Sequence, residues 1–112
     1  GAGILVQYAF RDDRLHITRT AEDKQPLLKR LNRIAGQVRG LSQMVEKDRY
    51  SGDEIQQASA IIAAVREVTL MLIEQHLEAG ASAAAGSQRK PAVEEMRAVL
   101  QLALACPDNG QT

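Results

Sequence analysis

Leu27, Leu31, Ile34, Val38, Leu41 and Val45 recur at helical spacing and, at 100° per residue, fall within about 40° of a single line. A seam this narrow and regular commits the stretch to an amphipathic helix that must bury one edge against another element. Thr20 followed by Asp23 has the spacing of a capping box, and Pro26 falls in the first turn or so, where a missing N–H costs little. The pattern predicts a first helix from about residue 20 to about Asp48.

Ser51 with Glu54 repeats the capping-box spacing and predicts a second, longer helix from about Gly52 to about Ala79. Its apolar side is broad: Ile55, Ala58, Ile61, Ile62, Val65, Val68, Thr69, Leu72, Ile73 and His76 lie together, with Gln56, Glu67, Glu74 and Glu78 opposite. A hairpin of two such helices buries too little alone, so the width of the stripe implies partner helices from another subunit. Residues 80–90 are small and polar and read as a loop. Pro91 then opens a third helix through about Cys106, with Val93, Met96, Leu100, Ala103 and Leu104 spaced for one face.

Residues 1–19 read as a flexible N-terminal arm, in which Ile4 to Phe10 forms a short strand or stays disordered for want of a partner. Residues 20–106 form the helical domain, and 107–112 a disordered tail. No strand alternation follows residue 20, so the fold class expected is all-α.

At 112 residues the chain makes one domain or one subunit of something larger. Only 3% of it is aromatic, so the core must be aliphatic and a base-stacking single-strand binder is disfavoured. An uninterrupted apolar run of about 18 residues is absent, as is a secretory leader, which predicts a cytoplasmic protein without a membrane partner. The single cysteine, Cys106, excludes an internal disulfide or a cysteine-based zinc cluster within one chain.

Fourteen basic and fourteen acidic residues cancel overall, yet they are segregated. Residues 14–39 carry seven basic side chains against two acidic ones, and residues 46–81 carry three against seven. An anionic partner should therefore dock on the first helix. There Lys29, Arg30, Arg33 and Gln37 share an arc of about 100°, with Gly40 inside it and Gly36 at its edge. The arc is either a solvated face or a phosphate-binding surface, and it lacks the interleaved acids that a merely soluble face usually carries. The glycine pair also has a packing reading, since glycine costs about 1 kcal/mol in a helix interior and is kept where another backbone comes close.

His76 lies at the centre of the second helix's stripe, where an imidazole needs a hydrogen-bond partner or a metal. Ser51 is most simply an N-cap, its hydroxyl being a poor metal ligand. Tyr50 either reaches His76 or sits at the end of the bundle. A nucleophile elbow, a phosphate loop and a working acid pair with histidine are all missing, so an enzyme is not expected.

The run from Leu27 to Leu41, with Met44-Val45-Glu46, Asp48-Arg49-Tyr50, Ile55 to Ala60 and Glu74 to Glu78, resembles the copper-sensitive operon repressor family, which includes the nickel/cobalt and formaldehyde repressors. The resemblance covers about residues 20–80. It implies a three-helix subunit that pairs into an antiparallel four-helix-bundle dimer and assembles into a homotetramer bound to GC-rich double-stranded operator DNA, released by an inducer. It assigns DNA contact to Lys29, Arg30 and Arg33. It places the sensing site at Ser51 of one subunit and at His76 and Gly80 of its partner.

The family's copper members have cysteine at the positions of Ser51 and Gly80, and its formaldehyde and persulfide members need cysteine at the first, so His76 alone remains. The tyrosine and glutamate that surround the metal in the copper members correspond to Tyr50 and Glu95. Tight Cu(I) binding is therefore not expected. The nickel/cobalt members also use an arm histidine, which aligns near Arg19, three residues after His16. Ni(II) or Co(II) on His76 with His16, or a non-metal inducer, stays open. Two functions follow: a DNA-binding repressor with an altered inducer site, or a helical oligomeric module that has lost DNA binding.

Overall fold

The computed structural model describes residues 7–105, and the expectations for residues 1–6, Cys106 and the tail lie outside the described residues. In chain order the elements are strands β1 (Gln7–Arg11) and β2 (Arg14–Thr18) and helices α1 (Ala21–Glu46), α2 (Ser51–Ala85) and α3 (Arg89–Leu104). They divide into two compact units, Thr20–Leu72 and one built from the segments before and after it.

In the unit Thr20–Leu72, α1 starts as its sequence requires. The Thr20 side chain accepts from the Asp23 N–H at 3.0 Å, and the Asp23 carboxylate accepts from the Thr20 N–H at 3.4 Å. Pro26 sits deeper than expected, as the sixth residue of α1, where it removes one intrahelical bond. The helix ends in a Schellman arrangement: Asp48 takes the left-handed conformation at φ 52°, its N–H donates to Val45 O and the Arg49 N–H donates to Met44 O. The capping box expected at Ser51 does not form. Ser51 is already helical, and the Tyr50 carbonyl accepts the first bond, from Asp53 N at 2.9 Å.

The other unit adds a β hairpin to the expected helical fold: of the two outcomes open for the arm it takes the strand, over Gln7–Arg11. β1 and β2 pair antiparallel, Tyr8 opposite Ile17 and Phe10 opposite Leu15. Asp12 and Asp13 turn the chain with φ 52° and 63°, the two positive values that a type I′ hairpin demands. Short polar side chains tolerate that region, which is why Asp-Asp can do what Asn-Gly more often does. Tyr8 and Phe10 meet edge to face at 6.5 Å, and Leu15 on the same face is buried at 6% exposure.

The loop expected over residues 80–90 is mostly helix, since α2 runs on to Ala85. Alanine is the best helix former, and here it is also a spacer. Ala79, Ala83 and Ala92 are almost wholly buried, so α3 lies close to the end of α2. The buried side of α3 carries Ala92, Glu95, Met96 and Val99, while Val93, Leu100 and Leu104 are exposed. The face expected from Val93, Met96 and Leu100 is thus rotated by about one residue from the one that packs.

Among the described residues the buried apolar side chains are few: Leu15, Leu27, Val68 and three alanines. Along the α1 seam Leu31, Val38 and Val45 stay 45–58% exposed, and on α2 Ile55, Ile62, Val65 and Leu72 stay 42–66% exposed. By length and composition alone α2 is apolar enough to cross a membrane, although Arg66, Glu67, Glu74 and Glu78 interrupt it.

Candidate sensing site and nucleic-acid interface

The basic arc borders a groove of about 710 Å³ lined by Pro26, Lys29, Arg30, Arg33, Ile34, Gln37 and Ala64. All three cationic side chains are exposed. One of them has an acidic neighbour: Arg30 Nη1 lies 3.9 Å from Glu67 Oε1, with about half of each side chain in solvent. An exposed pair at that distance is worth about 0–1 kcal/mol, so it does not fix the guanidinium. Deeper in, Gln57 Nε2 donates to the Gln37 carbonyl at 3.0 Å, and Gln37 Oε1 is buried with no donor. The glycine pair is not required by space within the subunit. A Cβ at Gly40 would meet Gln57 Nε2 at 3.5 Å and one at Gly36 only its own neighbour Arg39, both ordinary contacts.

His76 is held by a residue of α3. Its Nε2 lies 3.1 Å from Glu95 Oε1, and the two side chains are 18% and 13% exposed. An ionised carboxylate only accepts, so Nε2 is the donor of this bond. This bond answers the hydrogen-bonding need of one of the two ring nitrogens. Next to it, Arg19 Nε donates to Gln75 Oε1 at 2.7 Å, tying the end of the hairpin segment to α2.

Gly80, one turn beyond His76, is buried, and a Cβ there would lie 3.0 Å from Met96 Cγ and 3.4 Å from its Sδ. The space next to Gly80 belongs to methionine. Ser51 is exposed at the start of α2, and Tyr50 is 74% exposed with its ring lying over Gly52. His16 is on the exposed face of β2, opposite in direction to Leu15. Among the described residues no three His, Cys, Asp or Glu side chains converge to hold a metal.

Met96 and Glu67 went unremarked as site neighbours in the sequence. Met96 follows Glu95 directly, but only the close approach of α3 reveals that it fills the Gly80 notch. Glu67 was placed on the polar side of α2, and its reach to Arg30 is a tertiary fact.

Residues 23–102 match the family model described as metal-sensitive transcriptional repressor. The chain belongs to that family. The copper-sensing transcriptional repressor RicR of Mycobacterium tuberculosis is 45% identical over 56 residues, which are 50% of this chain and 58% of RicR. The copper-sensing repressor CsoR of Bacillus subtilis is 47% identical over 58 residues, 52% of this chain and 57% of CsoR. The matched stretch thus spans somewhat over half the length of these two relatives. The crystal structure of the copper-sensing repressor CsoR with Cu(I) from Geobacillus thermodenitrificans superposes with a TM-score of 0.71 at 40% identity, covering 78% of this chain and 92% of that one. The family is one of transcriptional repressors rather than enzymes.

Proposed function

We propose that this chain is a cytoplasmic repressor that binds double-stranded operator DNA as a homotetramer through Lys29, Arg30 and Arg33, and that its inducer site has changed. The observation that carries the reading is the exposed cationic arc along the α1 groove, with Glu67 as its one acidic neighbour. Phosphate contact needs mobile, solvent-accessible cations on one face, and that is what α1 presents. The apolar side chains left exposed along α1 and α2 supply the surface that partner subunits would cover.

The donors do not fit the metal named for the relatives. Cu(I) selects soft thiolate, and the aligned positions offer the Ser51 hydroxyl, the Gly80 hydrogen and one imidazole, His76. Ni(II) or Co(II) would need His16 beside His76, and His16 stands on the exposed face of its strand. What persists is the His76–Glu95 bond, a sensing apparatus without its thiolates.

Gel shift with operator DNA tests this reading. Binding should weaken steeply with salt, each phosphate contact adding about 0.9 to the slope of log affinity against log salt. A chain that assembles but binds DNA without salt dependence, or not at all, would instead be a helical oligomeric module.

A further inference from the structure

Three cations, a half-buried apolar floor and an unsatisfied amide meet in the α1 groove, and a DNA phosphate would use only the first of these. Lys29, Arg30 and Arg33 line it within about one helical turn, near enough to engage one small polyanion together. Ile34 from α1 and Ala64 from α2 are half-buried beside them. Gln37 lines the same groove one turn past Arg33, and its Oε1 is buried with no donor. Turning that carboxamide into the groove costs the oxygen no hydrogen bond, and a donor offered there would satisfy it. From Lys29 to Gln37 the helix rises about 12 Å, room for a ligand with an anionic end and a hydrogen-bonding end. The groove, about 710 Å³, has the size of a small-molecule site, about 300–1,000 Å³.

We propose that this groove is an effector site for a nucleoside diphosphate, its phosphates on Lys29, Arg30 and Arg33 and an N–H of its base donating to Gln37 Oε1. The proposal rests on the repressor reading above and names a regulator of that same surface: the nucleotide takes the cations that operator DNA would use, so the two compete. A diphosphate is a compact polyanion that one cluster of three cations can hold, and arginine forks suit its oxygens. An adenine supplies the donor through its exocyclic amino group and lays its apolar ring faces against Ile34 and Ala64. The acid nearest these cations, Glu67, holds Arg30 only through an exposed pair at 3.9 Å, which a phosphate can displace.

The test titrates the full chain with ADP and with inorganic pyrophosphate by isothermal calorimetry in magnesium-free buffer, since pyrophosphate keeps the charge and lacks the base. The expected result is a saturable site for one ADP per chain, tighter than pyrophosphate by about tenfold or more. Gln37→Leu should bring ADP down to the affinity of pyrophosphate, and Arg33→Ala should weaken both ligands, with circular dichroism showing that each variant remains helical. ADP that binds no more tightly than pyrophosphate, or a Gln37→Leu chain that binds ADP as tightly as the parent, overturns the proposal. Operator binding is scored separately by gel shift, without and with ADP. Nucleotide binding in a chain that ignores the operator would sink the repressor reading and leave the effector site standing. Operator binding that ADP displaces no better than pyrophosphate does would sink the site and leave the repressor.

Discussion

The arc on α1 and the surroundings of His76 on α2 are built on opposite terms. Lys29, Arg30 and Arg33 are exposed around an open groove, and among the described residues the acid paired with them is Glu67, 3.9 Å from Arg30. His76 is mostly buried, its Nε2 satisfied by Glu95, and the room beside it is filled by Met96. The first surface is ready for a large polyanion that approaches from solvent. The second has been closed by side chains of its own chain, so any ligand there must work through what α3 already provides.

The sharpest way to break this contrast is to empty the arc. Arg30→Ala with Arg33→Ala removes two cations per chain, and the proposed tetramer would repeat the loss four times. We expect operator affinity to fall by more than about a thousandfold at moderate salt. Helix content and assembly should persist, because both side chains are exposed. His76→Ala should leave metal-free operator binding within about threefold of the parent, since no phosphate contact is lost. Gel shift of the three proteins at several salt concentrations decides it: equal losses from the arc and the histidine would mean that the two regions are not separable.

A second comparison tests how much the hairpin holds the His76 unit together. Leu15 is buried at 6% exposure, whereas Leu31 on the α1 seam is 45% exposed within the subunit. Leu15→Ala should destabilise the chain by about 2–4 kcal/mol, read from denaturant midpoints, independently of protein concentration. Leu31→Ala should act through assembly, with an effect that grows on dilution. If Leu15→Ala were silent, the hairpin would be an ornament to that unit rather than part of it.

These two regions also differed in how much could be read from residues alone. The α1 helix, its capping box and its cationic arc follow from periodicity and local chemistry, which act within a few residues. Three features of the other unit do not. The Asp12-Asp13 turn lacks the usual glycine, although the alternation of Tyr8 and Phe10 with Leu15 and Ile17 on either side was the available signal. The stretch after Gly80 looked like a loop because small residues serve loops and tight helix contacts equally well, and only Ala92 arriving from α3 distinguishes the two. The packed face of α3 departs from its hydropathy pattern because Glu95, which such a pattern counts as outward, bonds to His76.

The notch at Gly80 gives a smaller, two-sided test of the proposed altered inducer site. Gly80→Cys together with Ser51→Cys should not restore tight Cu(I) binding by itself, because the new side chain meets Met96 at contact distances where a neighbour must yield. Adding Met96→Ala should restore it, as judged by competition with a Cu(I) chelator. In stability terms Gly80→Ala gains about 1 kcal/mol of helix propensity and loses a similar amount to crowding. Paired with Met96→Ala in a double-mutant cycle, it should show a coupling of about 0.5–1.5 kcal/mol. Simple additivity would mean that Met96 leaves the notch freely and does not guard it.

The smallest effect expected lies at Glu67, the acid beside the arc. Its carboxylate is 3.9 Å from Arg30 Nη1, and 61% of the side chain is in solvent. Glu67→Gln removes a partner that competes with phosphate for Arg30 and a negative charge that repels the DNA. An exposed pair of this kind is worth about 0–1 kcal/mol, so the gain in operator affinity should be about two- to fivefold at low salt. It should fade as ionic strength shortens the reach of the charge to about 8 Å near physiological salt and less beyond. The salt slope itself should hardly change, since no phosphate contact is added. A tightening that survived high salt would mean that Glu67 acts by shaping the groove rather than by charge, and weaker binding would mean that the pair aims Arg30 at the DNA instead of distracting it.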